Sequence, residues 1–131
     1  MMNYILLFCG TSQDWQAWEA LSEEARVQQY EQVGRWFAEH GPRILGTRQL
    51  QPPHTATSVH FTVDGKPLVT DGPFLEGTEV IGGYAEIEVA DLDEALALAK
   101  TWPGHGVVEI RPVVPQDLIT PEGSGHVDYT C

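Results

Sequence analysis

Two stretches of this chain repeat their apolar residues at helical spacing, and each is bracketed by segments that read as strands. Val27, Tyr30, Val33, Gly34 and Phe37 form the first stripe, opened by Ser22 as an N-cap ahead of Glu23 and Glu24 and closed by Gly41-Pro42. Leu92, Ala95, Leu96, Ala99 and Trp102 form the second, with Asp91 and Glu94 at capping-box spacing and Pro103-Gly104 as the stop. Tyr4 to Cys9 is a short continuous apolar run, the pattern of a central strand covered on both faces. Arg43 to Leu50, Val80 to Val89 and Val107 to Val113 read as further strands. Val59, Phe61 and Val63 alternate with His60, Thr62 and Asp64, and Asp64-Gly65 is a strong two-residue hairpin signal because both residues tolerate positive φ. The return arm, Lys66 to Thr70, carries Pro67 and is expected to be short and at an edge.

The resulting order is strand, helix, strand, strand with its hairpin extension, helix, strand. That order predicts an α+β, ferredoxin-like fold: an antiparallel sheet with two helices on one face and an added hairpin. With 131 residues the chain can build one core, and residues 1–115 are read as a single domain. Residues 116–131, rich in proline, glycine and polar groups, are read as a C-terminal tail. Two helices cannot cover both faces of such a sheet, so the second face must meet water, a second subunit or a ligand.

Charge narrows the partners. Nineteen acidic residues against seven basic ones give a formal net charge of −12, which repels phosphate backbones and anionic lipid. No direct nucleic-acid or membrane partner is therefore expected, and an anionic substrate would need a local basic spot. Cys9 ends an apolar run and reads as an inert thiol, while Cys131 is the last residue. No disulfide framework, signal segment or membrane span is evident, and a reducing, cytoplasmic setting is the expectation.

Alternation says which side chains would reach the uncovered face. If Val59, Phe61 and Val63 face the helices, His60 and Thr62 face away; if Ala85, Ile87 and Val89 face inward, Tyr84, Glu86 and Glu88 face outward. Val108 and Ile110 inward would put Glu109 and Arg111 outward. Such a face is either solvated, with cross-strand charge pairs, or a polar dimer cleft. His40 suits a helix C-terminus, and His54, His105 and His126 fall in turns or the tail. His54 and His60 could share a metal only if the loop folds back, so no metal is expected. No phosphate-cradling loop, G-x-S-x-G elbow or placed Cys–His pair is present, and no cofactor is expected.

Specific motifs follow one another along the chain: Leu50-Gln51-Pro52-Pro53, Val69-Thr70-Asp71-Gly72-Pro73-Phe74, Gly82-Gly83-Tyr84, Val89-Ala90-Asp91-Leu92-Asp93-Glu94-Ala95 and Val108-Glu109-Ile110-Arg111-Pro112-Val113. Together they resemble the DGPF-domain proteins of the YCII-related family, over nearly the whole chain to about Val113. The resemblance implies a bacterial protein with a ferredoxin-like fold that dimerises in the dimeric α/β barrel manner. It also implies two kinds of function. Some relatives are proposed enzymes with a His–Asp pair in a dimer cleft, one being a dehydrochlorinase of a chlorinated hydroquinone. Others are encoded beside extracytoplasmic-function sigma factors. The family histidine of the first helix has no counterpart near Gln29-Tyr30, and Thr78 stands where the family usually has lysine, ahead of Glu79. A general base must therefore come from elsewhere.

Asp71 leads the catalytic candidates, as a carboxylate held in a turn near the open face, although an Asp in that position also commonly bonds backbone amides two residues on. His60, able to move a proton near neutral pH, is its expected partner. Arg111, Tyr84 and Glu79 are the substrate-binding candidates, with Arg111 the basic spot for a small carboxylate or phenolate. The first functional expectation is thus a homodimer binding or transforming a small polar or anionic molecule in a cleft. The alternative is a non-catalytic interaction module, working with a sigma-factor system through an apolar patch that includes Trp15, Trp18 or Trp36.

Overall fold

The computed structural model describes residues 1–72 and 79–115. The elements run in the order β1 (Met2–Thr11), α1 (Ser12–Ala20), α2 (Glu23–Glu39), β2 (Ile44–Gln49), β3 (Thr57–Phe61), β4 (Pro67–Asp71), β5 (Glu79–Val89), α3 (Leu92–Lys100) and β6 (Val107–Pro112). The expectations for Pro73, Phe74, Thr78, His126, Cys131 and the tail of residues 116–131 lie outside the described residues. No helix among the described residues is long and apolar enough to cross a membrane.

The architecture is α+β. A four-stranded antiparallel sheet has the order β2-β5-β1-β6, compatible with the ferredoxin-like arrangement once β3 and β4 are set aside. One face of this sheet carries the core. Tyr4 and Leu6 of β1, with Ala85, Ile87 and Val89 of β5, are buried against Trp36 of α2 and Ala95 and Leu98 of α3. Val108 and Ile110 of β6 pack at its margin. Leu6, Ala85, Ile87 and Val89 are fully excluded from water. Each such side chain contributes about 1.5–3 kcal/mol, except the small alanine.

Three corrections to the sequence reading follow. The first is a helix not foreseen, α1, opened by a reciprocal cap: Thr11 Oγ1 accepts from Asp14 N (3.1 Å) while Asp14 Oδ2 accepts from Thr11 N (2.8 Å). The second concerns the helical stripes. Only Trp36 of α2 is buried, at 3% exposure, while Val27 and Tyr30 are half-exposed. Trp36 Nε1 donates to Thr101 Oγ1 (2.9 Å), so this ring is a core member and no surface patch. On α3 the buried pair is Ala95 and Leu98, and Leu92 and Leu96 turn outward.

The third correction is the largest. β3 and β4 form a separate two-stranded sheet, so alternation in β3 says nothing about faces of the main sheet. Val59 and Phe61, expected against the helices, are 52% and 78% exposed, and Val63 projects fully into solvent. His60 therefore does not lie on the main sheet's uncovered face, and Thr62 is in the hairpin turn rather than in a strand. The turn falls where it was read, with Gly65 at φ 80°, but its loop is three residues, Val63 to Gly65, rather than two: Thr62 N donates to the Lys66 carbonyl (3.1 Å) and Phe61 pairs with Pro67.

Candidate functional site

An aromatic-lined concavity lies on the helical side of the sheet. It is a cavity of about 370 Å³ between β1, β2 and β5 below and α1 and α2 above. The roof is the stripe of α2 that was expected to touch the sheet: Tyr30, Val33 and Phe37 line it. Trp15 and Trp18, one helical turn apart on α1, form a wall, and Phe8 with Trp102 forms another.

Glycines make the space. Gly10, Gly82 and Gly83 line the floor. A β-bulge interrupts the β1–β5 register after Phe8: Phe8 pairs Gly83 and Cys9 pairs Ile81, which leaves Gly82 as the extra residue. A side chain on Gly82 would start 3.4 Å from the Trp15 ring and grow into the cavity. Gly83 has a different task, since a Cβ there would sit 2.9 Å from the Arg48 carbonyl oxygen and push β2 away. Gly106, at φ 89°, lets the loop before β6 close on the end of β1, where a Cβ would overlap the Cys9 carbonyl oxygen.

The rings are packed against one another. Trp18 and Tyr30 meet edge to face, with centroids 5.2 Å apart at 85°. Phe8 and Trp102 stack at 4.2 Å, and Trp36 braces both from behind. The polar residues of the lining are Asp14, Gln29, Thr47, Arg48, Gln49 and His105. The Thr11 backbone N–H and hydroxyl hold the Asp14 carboxyl below its ordinary value, with a further lowering from the charge of His105. Two guanidinium groups nearby are already engaged. Arg26 donates to the Trp18 carbonyl (3.2 Å) and to that of Glu19, closing the C-terminal end of α1. Arg48 stands in register with Tyr84, and its Nη1 donates to the Thr47 carbonyl (2.8 Å).

None of the five site residues expected from sequence lines this cavity. Glu79, Tyr84 and Arg111 share the other face of the main sheet: they stand in register with Thr11, Leu7 and Ile5 of β1. Glu86, Glu88 and Glu109 lie on that face too, and the Asn3 side chain donates to Glu86 (3.2 Å). His60 and Asp71 are on the hairpin instead. His60 Nε2 lies 3.3 Å from Thr70 Oγ1. Asp71 pairs with Thr57, and beside it a cross-strand bond runs from Gly72 N to the Ala56 carbonyl (2.7 Å). The expected Asp71 bond two residues on has no donor, since Pro73 has no N–H. Asp71 and His60 are thus separated from Glu79, Tyr84 and Arg111 by sheet membership. Among the described residues no group of three or more His, Cys, Asp or Glu side chains could hold a metal ion.

Cys9 is on the open face beside Leu7 in β1. Partial burial pushes its thiol up, and the charges of Glu109 and Glu79 add to this, so it stays protonated and a poor nucleophile.

Sequence reasoning missed the cavity, although its signals were present. Thr11 and Asp14 have capping-box spacing, which marks α1, and Trp15 with Trp18 gives that helix an aromatic face. Gly82-Gly83 inside a strand marks a bulge or a close approach.

Comparison with known proteins places the chain. The model of the YCII-related domain matches residues 4–117. A protein of Rhizobium meliloti (strain 1021), described as uncharacterized, is 32% identical over 116 residues, covering 86% of this chain and 92% of the relative.

Proposed function

Since the chain belongs to the YCII-related family, whose domain spans residues 4–117, we propose that its function resides within this one domain and is to hold a small organic molecule in the cavity beneath α1 and α2. The carrying observation is the construction of the cavity: aromatic walls over a glycine floor, with about 370 Å³ of space. That volume falls within the range of small-molecule sites, which are mostly apolar with a few polar groups fixing orientation. The reading moves the ligand from the open face, where a polar or anionic molecule was expected, to the helical side.

The open face then suits a second copy of the chain. Ile5 and Leu7 lie on it, half-buried although no helix among the described residues packs on that face, and β1 has the continuous apolar pattern of a strand buried on both sides. Two copies joined there would form a dimeric α/β barrel, with Glu79, Tyr84 and Arg111 at the join. The DGPF grouping rests on the ordered motif string, and the cytoplasmic setting on a composition with only two cysteines.

A second reading, an interaction module of the kind that could serve a sigma-factor system, rests on one observation. The hairpin exposes Val59, Phe61 and Val69 on one face.

The test of the first reading is to fill the cavity. Wild-type protein is titrated with a panel of small aromatic and aliphatic compounds while tryptophan fluorescence is followed. At least one should saturate, and Gly82→Leu should weaken it at least tenfold with an unchanged circular dichroism spectrum. Saturable binding that ignores Gly82→Leu would place the ligand elsewhere.

A further inference from the structure

We infer that the cavity's ligand is an organic cation, a substituted ammonium group carried on a small apolar body. The inference rests on the cavity being the ligand site and goes on to name the ligand's charge.

Three observations point the same way. The walls are aromatic rings, whose faces carry negative potential, and Trp18 and Tyr30, at 85° to one another, both line the cavity. Cations seat against such faces, and quaternary ammonium groups are commonly bound in aromatic cages. The lining adds a carboxylate: Asp14 is fastened by Thr11 N (2.8 Å) and Thr11 Oγ1 (3.0 Å), so it presents a fixed negative charge. Glu19 lies at the adjoining recess, which shares Trp15, Trp18 and Tyr30 with the cavity.

Two arginines border the same space, Arg48 in the lining of the cavity and Arg26 in that of the adjoining recess, and the guanidinium of each is committed to backbone carbonyls. Arg26 is bonded to the carbonyls that end α1, and Arg48 is bonded to the Thr47 carbonyl. His105 is also in the lining, and it faces Asp14. Beyond the cavity, a net charge of −12 concentrates cations near the protein and dilutes anions. A neutral ligand of the same shape would gain the apolar contacts and nothing from these charges.

The experiment compares three probes of nearly one shape: phenyltrimethylammonium, its neutral isostere tert-butylbenzene, and the anion benzenesulfonate. Binding to the whole protein is followed by tryptophan fluorescence and by calorimetry. The cation should bind about tenfold tighter than the neutral isostere, the gain expected of ring faces that are partly desolvated, and the anion should bind weakest. Trp18→Leu should erase most of that preference and Trp18→Phe should restore part of it. Gly82→Leu should weaken all three probes. Equal or tighter binding of the neutral probe, still lost in Gly82→Leu, would overturn the cationic assignment and leave the cavity as the site. Binding of no probe, or binding indifferent to Gly82→Leu, would overturn the cavity reading itself.

Discussion

Thr11 and Asp14 hold the first turn of α1 reciprocally, and that turn carries Trp15 at the wall of the cavity. Because the Thr11 bonds favour the ionised carboxylate, Asp14 titrates in the folded chain below the ordinary 3.8. A depressed carboxyl contributes stability that is present in full above the unfolded value and is lost as pH falls through the folded one. The loss belongs below pH 3.8 and concerns α1 first. The near-ultraviolet dichroism of the Trp15 and Trp18 rings should therefore fall reversibly in that acid range. In Asp14→Asn, where this group cannot titrate, the step should shrink. Identical acid titrations of the two proteins would contradict the role given to the cap.

At the scale of elements, what was legible in the sequence depended on what covers each face. In β5 the alternation placed Ala85, Ile87 and Val89 inward and Tyr84, Glu86 and Glu88 outward, and the sheet has them so. There one face is dry and the other wet, so the period carries the answer. The same alternation in β3 correctly grouped Val59 with Phe61 but assigned them a cover that does not exist, because a period of two cannot say whether a strand joins the main sheet. The stripe of α2 was likewise a true face with a wrong neighbour. It roofs a space kept open above all by Gly82, and residues too small to show a pattern are where the cavity hides. Of the candidate residues, Tyr84 and Arg111 were readable as sharing a face; Glu79 joins them only through the bulge at Gly82, which alternation does not show, and Asp71 and His60 were grouped with them through the misplaced hairpin. The exposed hairpin yields its own prediction. Phe61→Ser removes a ring that is 78% exposed, so unfolding by urea should change by no more than about 0.5 kcal/mol. A larger loss would mean that Phe61 is buried in solution by a partner, as the interaction-module reading requires.

For the whole molecule, the two faces of one sheet are given different tasks: the helical side holds the cavity, and the open side is proposed to hold a second copy. Such an interface must form between chains that each carry −12, so salt should strengthen it by screening their repulsion. Sedimentation equilibrium should report a dimer, tighter at higher ionic strength, and Leu7→Asp should give a folded monomer. A wild-type monomer at all salt concentrations would remove the open face from the account and leave the cavity untouched. The central claim is tested most directly by the indole N–H resonances of the four tryptophans in the ¹⁵N-labelled protein, followed as a binding compound is added. Trp15, Trp18 and Trp102 line the cavity, whereas the Trp36 N–H is already bonded to Thr101 and lies in the core. The account predicts that the first three shift together along one saturation curve while Trp36 moves least. Shifts confined to Tyr84, Arg111 and their neighbours on the open face, with the indoles unmoved, would contradict it.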